Sequence, residues 1–351
     1  MDPSRILVIA VPGFGDALLC TPLIRGLRTA WPEAELHVLV RGSAGGVLEG
    51  NTDVDEIIEA TRRASPRETL ALLRARFRSY DLVLSNSASD RMALYALLMG
   101  RHRISMVLPR GNGIPWKNWL YHEHVEVDED NWHVLTRVNK LGELAGIEPG
   151  QGVVNPRSPG SREAIAEHLG ENWDEQPFAV VHPATVLRKK QWHAKGWRAV
   201  VEYLNSVGLR VIVTGGPGDA EHSYVANELG FADDSVTHLV GKLRLGDITE
   251  LLESCTLYIG VDTLVSHMAS SAGVPTVVIF GPMNPVKWGP WPYSHEAPVS
   301  PYTRDGSQHV GNVYLVNGAD GSDECLAKLP EAEVLSAIKT MLESTAKRKQ
   351  I

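Results

Sequence analysis

Some residues in this sequence are of types, and at spacings, that could do chemistry. The first is Asp16, in the turn Pro12-Gly13-Phe14-Gly15-Asp16 that follows an apolar run from Ile6 to Val11. Glycines allow a tight turn and close backbone approach. A carboxylate at a helix start, at the C-terminal edge of a sheet, stands where open α/β sheets bind ligands. It could take the proton of an attacking hydroxyl as general base. In that reading Gly13 and Phe14 lie on the acceptor side of a site and Gly15 on the donor side. The helix dipole would keep Asp16 ionised and make it a weaker base. Asp is also a common N-cap, and spacing alone weighs the two readings evenly. A dinucleotide fingerprint is rejected: Leu18 stands where the third glycine belongs, and Asp16 puts a negative charge where a pyrophosphate would sit.

Later segments look built for an anion. After the run Phe178–His182, Thr185 offers a hydroxyl, and Arg188, Lys189 and Lys190 offer cations that could hold a diphosphate by charge-assisted hydrogen bonds. A solvated basic loop is the commoner fate of such a stretch taken alone. In Thr214-Gly215-Gly216-Pro217-Gly218-Asp219, the pair Gly215 and Gly216 admits a ligand to the backbone. Asp219 or Glu221 could accept from ribose hydroxyls, and a plain capped turn is about as good an account. Asp262 and Thr263 sit at a strand-to-helix switch, where the amides of Leu264 and its neighbours form an anion site. His267 lies one turn on, on the face of Thr263. A lone histidine there is more often a satisfied buried one.

Other clusters carry less. His122-Glu123-His124 and Asp128-Glu129-Asp130 resemble metal ligands, and His-x-His in an extended run shares a face. Neither ends at a glycine-bounded strand, so both read as surface features and no metal site is expected. No Gly-x-Ser-x-Gly elbow is present, which argues against a serine hydrolase. The net charge of -8 argues against a nucleic-acid binder. Cys20, Cys255 and Cys325 are isolated, as in a reduced, cytoplasmic protein. The run Ile6–Val11 is too short for a signal-peptide core. No stretch approaches the ~20 apolar residues of a membrane span.

The elements that must position these residues alternate along the chain. Strand-like runs are Ile6–Val11, Glu35–Val40, Glu56–Glu59, Leu82–Ser85 and Arg103–Leu108, then Phe178–His182, Arg210–Thr214, Val236–Val240, Leu257–Gly260 and Thr276–Phe280. Amphipathic patterns fall between them, such as Trp197, Val200, Val201, Leu204 and Val207. Continuous apolar strands between helices predict an α/β protein with parallel sheets covered on both faces. At 351 residues two domains are natural. The pattern weakens between Gly146 and Gln176, where prolines and glycines collect. The expected division is residues 1–155 and 156–351, two Rossmann-like doubly wound domains facing across a cleft. The C-terminal helix is free to pack back on the first domain.

Taken together, these segments resemble the ADP-heptose:lipopolysaccharide heptosyltransferase family, which is glycosyltransferase family 9 of the two-Rossmann GT-B class. The resemblance lies in Ile6–Ile9 through Gly15-Asp16, Thr21-Pro22-Leu23 and Pro32–Leu36; in His182-Pro183 through Lys190-Gln191-Trp192; and most specifically in Gly260-Val261-Asp262-Thr263, His267-Met268-Ala269, Gly273-Val274-Pro275-Thr276, Phe280-Gly281-Pro282 and Trp288-Gly289-Pro290. It covers most of the chain, with gaps around 41–130 and 295–325. Leu264 departs from it, standing where members often carry Gly.

The resemblance implies roles. Asp16 matches the family's general base. Thr185 and Lys190 match contacts to the donor diphosphate, Asp219 in the first place and Glu221 in the second the acid that holds the ribose, and Asp262, Thr263 and His267 the donor-site strand end and helix start. It implies an inverting transfer without metal or cofactor, from ADP-heptose to a glycan or small-molecule acceptor. Arg62, Arg63, Arg67, Arg74, Arg76 and Arg78 could give a local basic surface for peripheral contact with the inner membrane. Alternatives are another nucleotide-sugar donor or a protein acceptor, a nucleotide-sugar epimerase on the same scaffold, and a non-catalytic sugar-nucleotide binder.

Overall fold

A computed structural model describes residues 2–348 apart from 62–64, 110–114, 149, 151, 232–234, 294–299 and 321; at 115–117 and 345–348 it describes the backbone alone. The chain divides into two compact units, Met1–Pro156 with Pro298–Ser300, and Arg157–Ala297 with Pro301–Ile351.

The first unit is a parallel sheet of β1 (Arg5–Ile9), β2 (Glu35–Arg41), β3 (Glu56–Ala60), β4 (Tyr80–Ser85), β5 (Gly100–Val107) and β6 (Glu123–Glu126), ordered β3-β2-β1-β4-β5-β6. Its central strands are apolar at successive positions because helices cover both faces. Leu7 and Ile9 of β1 join Ala93, Ala96 and Met99 of the helix Asp90–Met99 in one core. The helix Thr21–Ala30 has Pro22 in its first turn, where a missing N–H costs nothing, and buries Leu23, Ile24 and Leu27. Its outward Arg28 pairs with Asp55 at 2.6 Å.

The second unit holds β7 (Phe178–His182), β8 (Arg210–Val213), β9 (Thr237–His238), β10 (Leu257–Val261), β11 (Thr276–Phe280), β12 (Gln308–Val310) and β13 (Val313–Asn317), ordered β12-β13-β11-β10-β7-β8-β9. All neighbours are parallel except β12 and β13. Leaving out β12, the chain-order pattern repeats that of the first sheet. The final helix, Glu331–Arg348, buries Val334, Ala337, Ile338 and Met341 in a core with Val277, Ile279 and Val316. It packs within the second unit.

The observed elements differ from the sequence reading mainly at edges. β6, β12 and β13 were not among the expected strands, and Val236–Val240 shortens to β9. β6, β9 and β12 lie at or beside sheet edges, are short, and lack the continuous apolar run that two covered faces demand. The segment after β8 is a short α-helix, Asp219–Ser223, continuing as a π-helical stretch, Tyr224–Leu229. No helix among the described residues is long and apolar enough to cross a membrane.

Candidate active site

In each sheet the strand order reverses once, between β1 and β4 and between β7 and β10. Ligands of open α/β sheets bind at such switch points, beyond the C-terminal ends of the strands. The residues singled out above follow β1, β7, β8 and β10.

Beyond β1 the chain enters a short helix, Phe14–Leu19. Gly13, in extended conformation, is the N-cap. Asp16 is therefore not the cap but the third helical residue. Its Oδ2 accepts the Gly13 N–H at 3.2 Å, the backward half of a capping box. Asp16 is half-buried and Phe14 is exposed. A Cβ on Gly15 would meet no atom within 4 Å, so the space over this turn is open.

In the second unit, the three neighbouring cations separate. Arg188 is exposed and lies 3.8 Å from Glu228, and Lys189 pairs with Asp323 at 3.1 Å. Lys190 turns inward. Its Nζ is 2.6 Å from Asp262 Oδ2, with side chains only 14% and 6% exposed, and it donates to the Asp262 carbonyl at 3.3 Å. The loop that presents Lys190 is held by Gln191 Nε2 donating to the Thr185 carbonyl and by Thr185 Oγ1 accepting from Leu187 N. Thr185 itself is buried.

Asp262 directly follows β10, and Thr263, in extended conformation, is the N-cap of the helix Leu264–Ser271, although its hydroxyl makes no capping bond. The leading amides of this helix lie where the sequence reading expected an anion site. His267 is buried, as the sequence suggested, but its Nδ1 has no hydrogen-bond partner among the described residues. Burial pulls its imidazole down to about 4, with Lys190 adding to the shift and Asp262 opposing it, so the ring is neutral at pH 7. His182 at the end of β7 is likewise pulled to about 4 by burial and makes a 2.9 Å hydrogen bond to Thr214 Oγ1 beyond β8. This bond fixes the strand ends beneath the two loops.

Asp219 and Glu221 stand in different surroundings. Asp219 is exposed. Glu221 folds back over the glycine turn, where a Cβ on Gly216 would run into its Oε2, and that buried oxygen has no hydrogen-bond partner. A buried acceptor without a donor beside open backbone is suited to a ligand hydroxyl. Gly215 serves packing, since a Cβ there would press on Val240 and Ala184.

The metal-like clusters have structural uses. His122 stacks on His102 with ring centroids 4.6 Å apart. Asp128 accepts from Asp130 N, Asn131 N and Asn131 Nδ2, shaping the turn before the helix Val134–Leu144. Among the described residues no group of three or more His, Cys, Asp and Glu is placed to hold a metal. Of the arginines expected to form a basic surface, Arg76 is spent on an ion pair with Glu56, and Arg62 and Arg63 lie outside the described residues.

Two doubly wound domains, one with a carboxylate at its switch point and one with a cation and helix amides at its own, define a two-domain glycosyltransferase of the GT-B class. The family model of glycosyltransferase family 9 (heptosyltransferase) matches residues 71–316, and the chain belongs to that family. Lipopolysaccharide heptosyltransferase 3 of Escherichia coli is 26% identical over 346 residues, covering 94% of this chain and 97% of that protein. The family 9 glycosyl transferase structure from Veillonella parvula superposes with a TM-score of 0.78 at 20% identity, covering 97% of each chain. The Escherichia coli heptosyltransferase WaaC with ADP gives 0.69 at 21% identity, over 96% of this chain and 99% of that one.

Proposed function

We propose that this glycosyltransferase moves a heptose from ADP-heptose to an acceptor hydroxyl of lipopolysaccharide or another surface glycan, inverting the anomeric carbon without a metal. The observation that carries the reading is the cluster at the end of β10. Lys190 beside Asp262, the helix start at Thr263 and a neutral His267 one turn into that helix together make a donor set suited to a diphosphate. The names of the relatives support heptose and lipopolysaccharide. Glu221, rather than Asp219, accepts from the ribose. Asp16 takes the proton of the acceptor hydroxyl as its oxygen attacks the anomeric carbon. The leaving nucleoside diphosphate gathers charge, which Lys190, Thr185 and the amides after Thr263 stabilise.

Isothermal titration with ADP and ADP-heptose against UDP, GDP and dTDP tests the donor. Selective binding of the ADP forms is expected. Preference for another nucleotide would keep the transferase and discard ADP-heptose.

The same reading places the protein in the cytoplasm, in peripheral contact with the inner membrane. What supports this is one face of the helix Pro66–Ala75 and the residues after it, where Arg67, Leu70, Arg74, Phe77 and Arg78 are all exposed. Basic and apolar residues interleaved on one face suit an anionic lipid surface. Sedimentation with phosphatidylglycerol vesicles, lost in Leu70→Ser/Phe77→Ser, is expected; equal sedimentation with neutral vesicles would contradict it.

A further inference from the structure

We infer that Asn86 is a positioning residue for the Asp16 carboxylate. β4 ends at Ser85 beside β1, at the switch point of the first sheet. Asn86 carries the ladder one step on, its backbone N–H donating to the Ile9 carbonyl at 3.1 Å. Its side chain then crosses to the Asp16 segment. Oδ1 accepts from the Val11 N–H at 3.0 Å, and Nδ2 donates to Cys20 Sγ at 3.2 Å.

Those partners sit at the two ends of one element. Val11 lies two residues before the N-cap Gly13, and Cys20 is the C-cap of the helix Phe14–Leu19. One planar amide therefore holds the chain where it enters and where it leaves the helix that carries Asp16. Six residues are too few to form a stable helix unaided, so the position of this one is set by what grips it. Asn suits the task because its amide is acceptor and donor at once. Cys20 is fully buried, and burial pushes its thiol far up, so Sγ is a neutral acceptor. A general base must lie within hydrogen-bond reach of its proton, and a displacement of about 1 Å can cost about 100-fold in rate.

The inference rests on Asp16 being the base. The test uses the full chain with ADP-heptose and an acceptor. Asn86→Ala is expected to lower kcat by about tenfold or more. ADP affinity by calorimetry should stay within twofold of wild type, since the groups proposed to hold the diphosphate and ribose, Lys190, Thr185, Glu221 and the amides after Thr263, are in the second unit. Asn86→Asp keeps the bond from Val11, loses the donation to Cys20 and adds a like charge near Asp16. It should retain more activity than Asn86→Ala at high pH and shift the acidic limb of the kcat profile upward. That shift also carries the test if Asn86→Ala fails to fold by circular dichroism. A kcat for Asn86→Ala within twofold of wild type, or an unmoved acidic limb for Asn86→Asp, would overturn the inference. Asp16→Asn run in parallel separates the two ideas. If Asp16→Asn is inactive while Asn86→Ala turns over normally, only the positioning role fails. If Asp16→Asn turns over normally, the base assignment fails, and this inference with it.

Discussion

Replacing Lys190 by Ala should do two separable things. Lys190 is the counter-ion of Asp262, whose side chain is only 6% exposed. Removing one partner of a buried pair strands the other charge, at about 3–5 kcal/mol; the partial exposure of Lys190 puts this case near the lower end. The variant should therefore unfold at lower temperature even without ligand. It should also bind ADP more weakly. A lost charge-assisted hydrogen bond is worth about 1.5–3 kcal/mol, which is roughly 10- to 100-fold in affinity. Asp262→Asn separates the effects. It removes the competing carboxylate while leaving the backbone carbonyl that Lys190 also contacts, so ADP should bind at least as tightly as in wild type. The double variant Lys190→Ala/Asp262→Asn should regain much of the lost stability but not the lost affinity. Melting curves and calorimetry on the four proteins make the comparison. ADP affinity unchanged in Lys190→Ala would show that the cation serves only Asp262 and does not hold the nucleotide.

Other outcomes follow from the same geometry. Glu221→Gln should weaken ADP binding about tenfold, while Asp219→Asn should leave it nearly unchanged; the reverse order in calorimetry would return the ribose to Asp219. Gly15→Ala adds a methyl into open space, so stability should hold while turnover falls if the acceptor or donor uses that space. Normal turnover would show that the space stays empty during transfer. Acid should destabilise the protein through His182 and His267, whose folded values near 4 lie below an unfolded value of about 6.5. Their contribution is present above about pH 6.5 and is lost as pH falls toward 4, on the order of 3 kcal/mol each at full shift. Urea unfolding at pH 7 and pH 4.5 should show the drop, and His267→Gln should reduce it; an equal drop in both proteins would exclude His267.

Much of this was legible because buried parallel strands are written as continuous apolar runs. Phe178–His182 and Thr276–Phe280 coincide with β7 and β11 for that reason. The turns beyond the strands were legible through glycines and capping residues, which mark where a strand hands over to a helix. What escaped were choices made by distant partners. Nothing local to Arg188-Lys189-Lys190 says which cation turns inward; Asp262, 72 residues away, decides it. Nothing local sets Glu221 apart from Asp219; the bare backbone of Gly216 is what leaves room for the Glu221 carboxylate to fold back. Asn86 fell in the stretch where the family resemblance lapsed, and its partners are 75 and 66 residues away. The signal that would have found it is its place just past a strand beside the Asp16 turn.

The central claim is sugar transfer from ADP-heptose with Asp16 as base. The most direct measurement is turnover of wild type and Asp16→Asn on ADP-heptose with a truncated lipopolysaccharide core, followed by ADP release and by the mass of the acceptor. Wild type should add one heptose per ADP released. Asp16→Asn should bind ADP normally but turn over about 100-fold more slowly or worse. Turnover near wild type in Asp16→Asn, or an acceptor that gains no heptose from the wild-type enzyme, would contradict the claim.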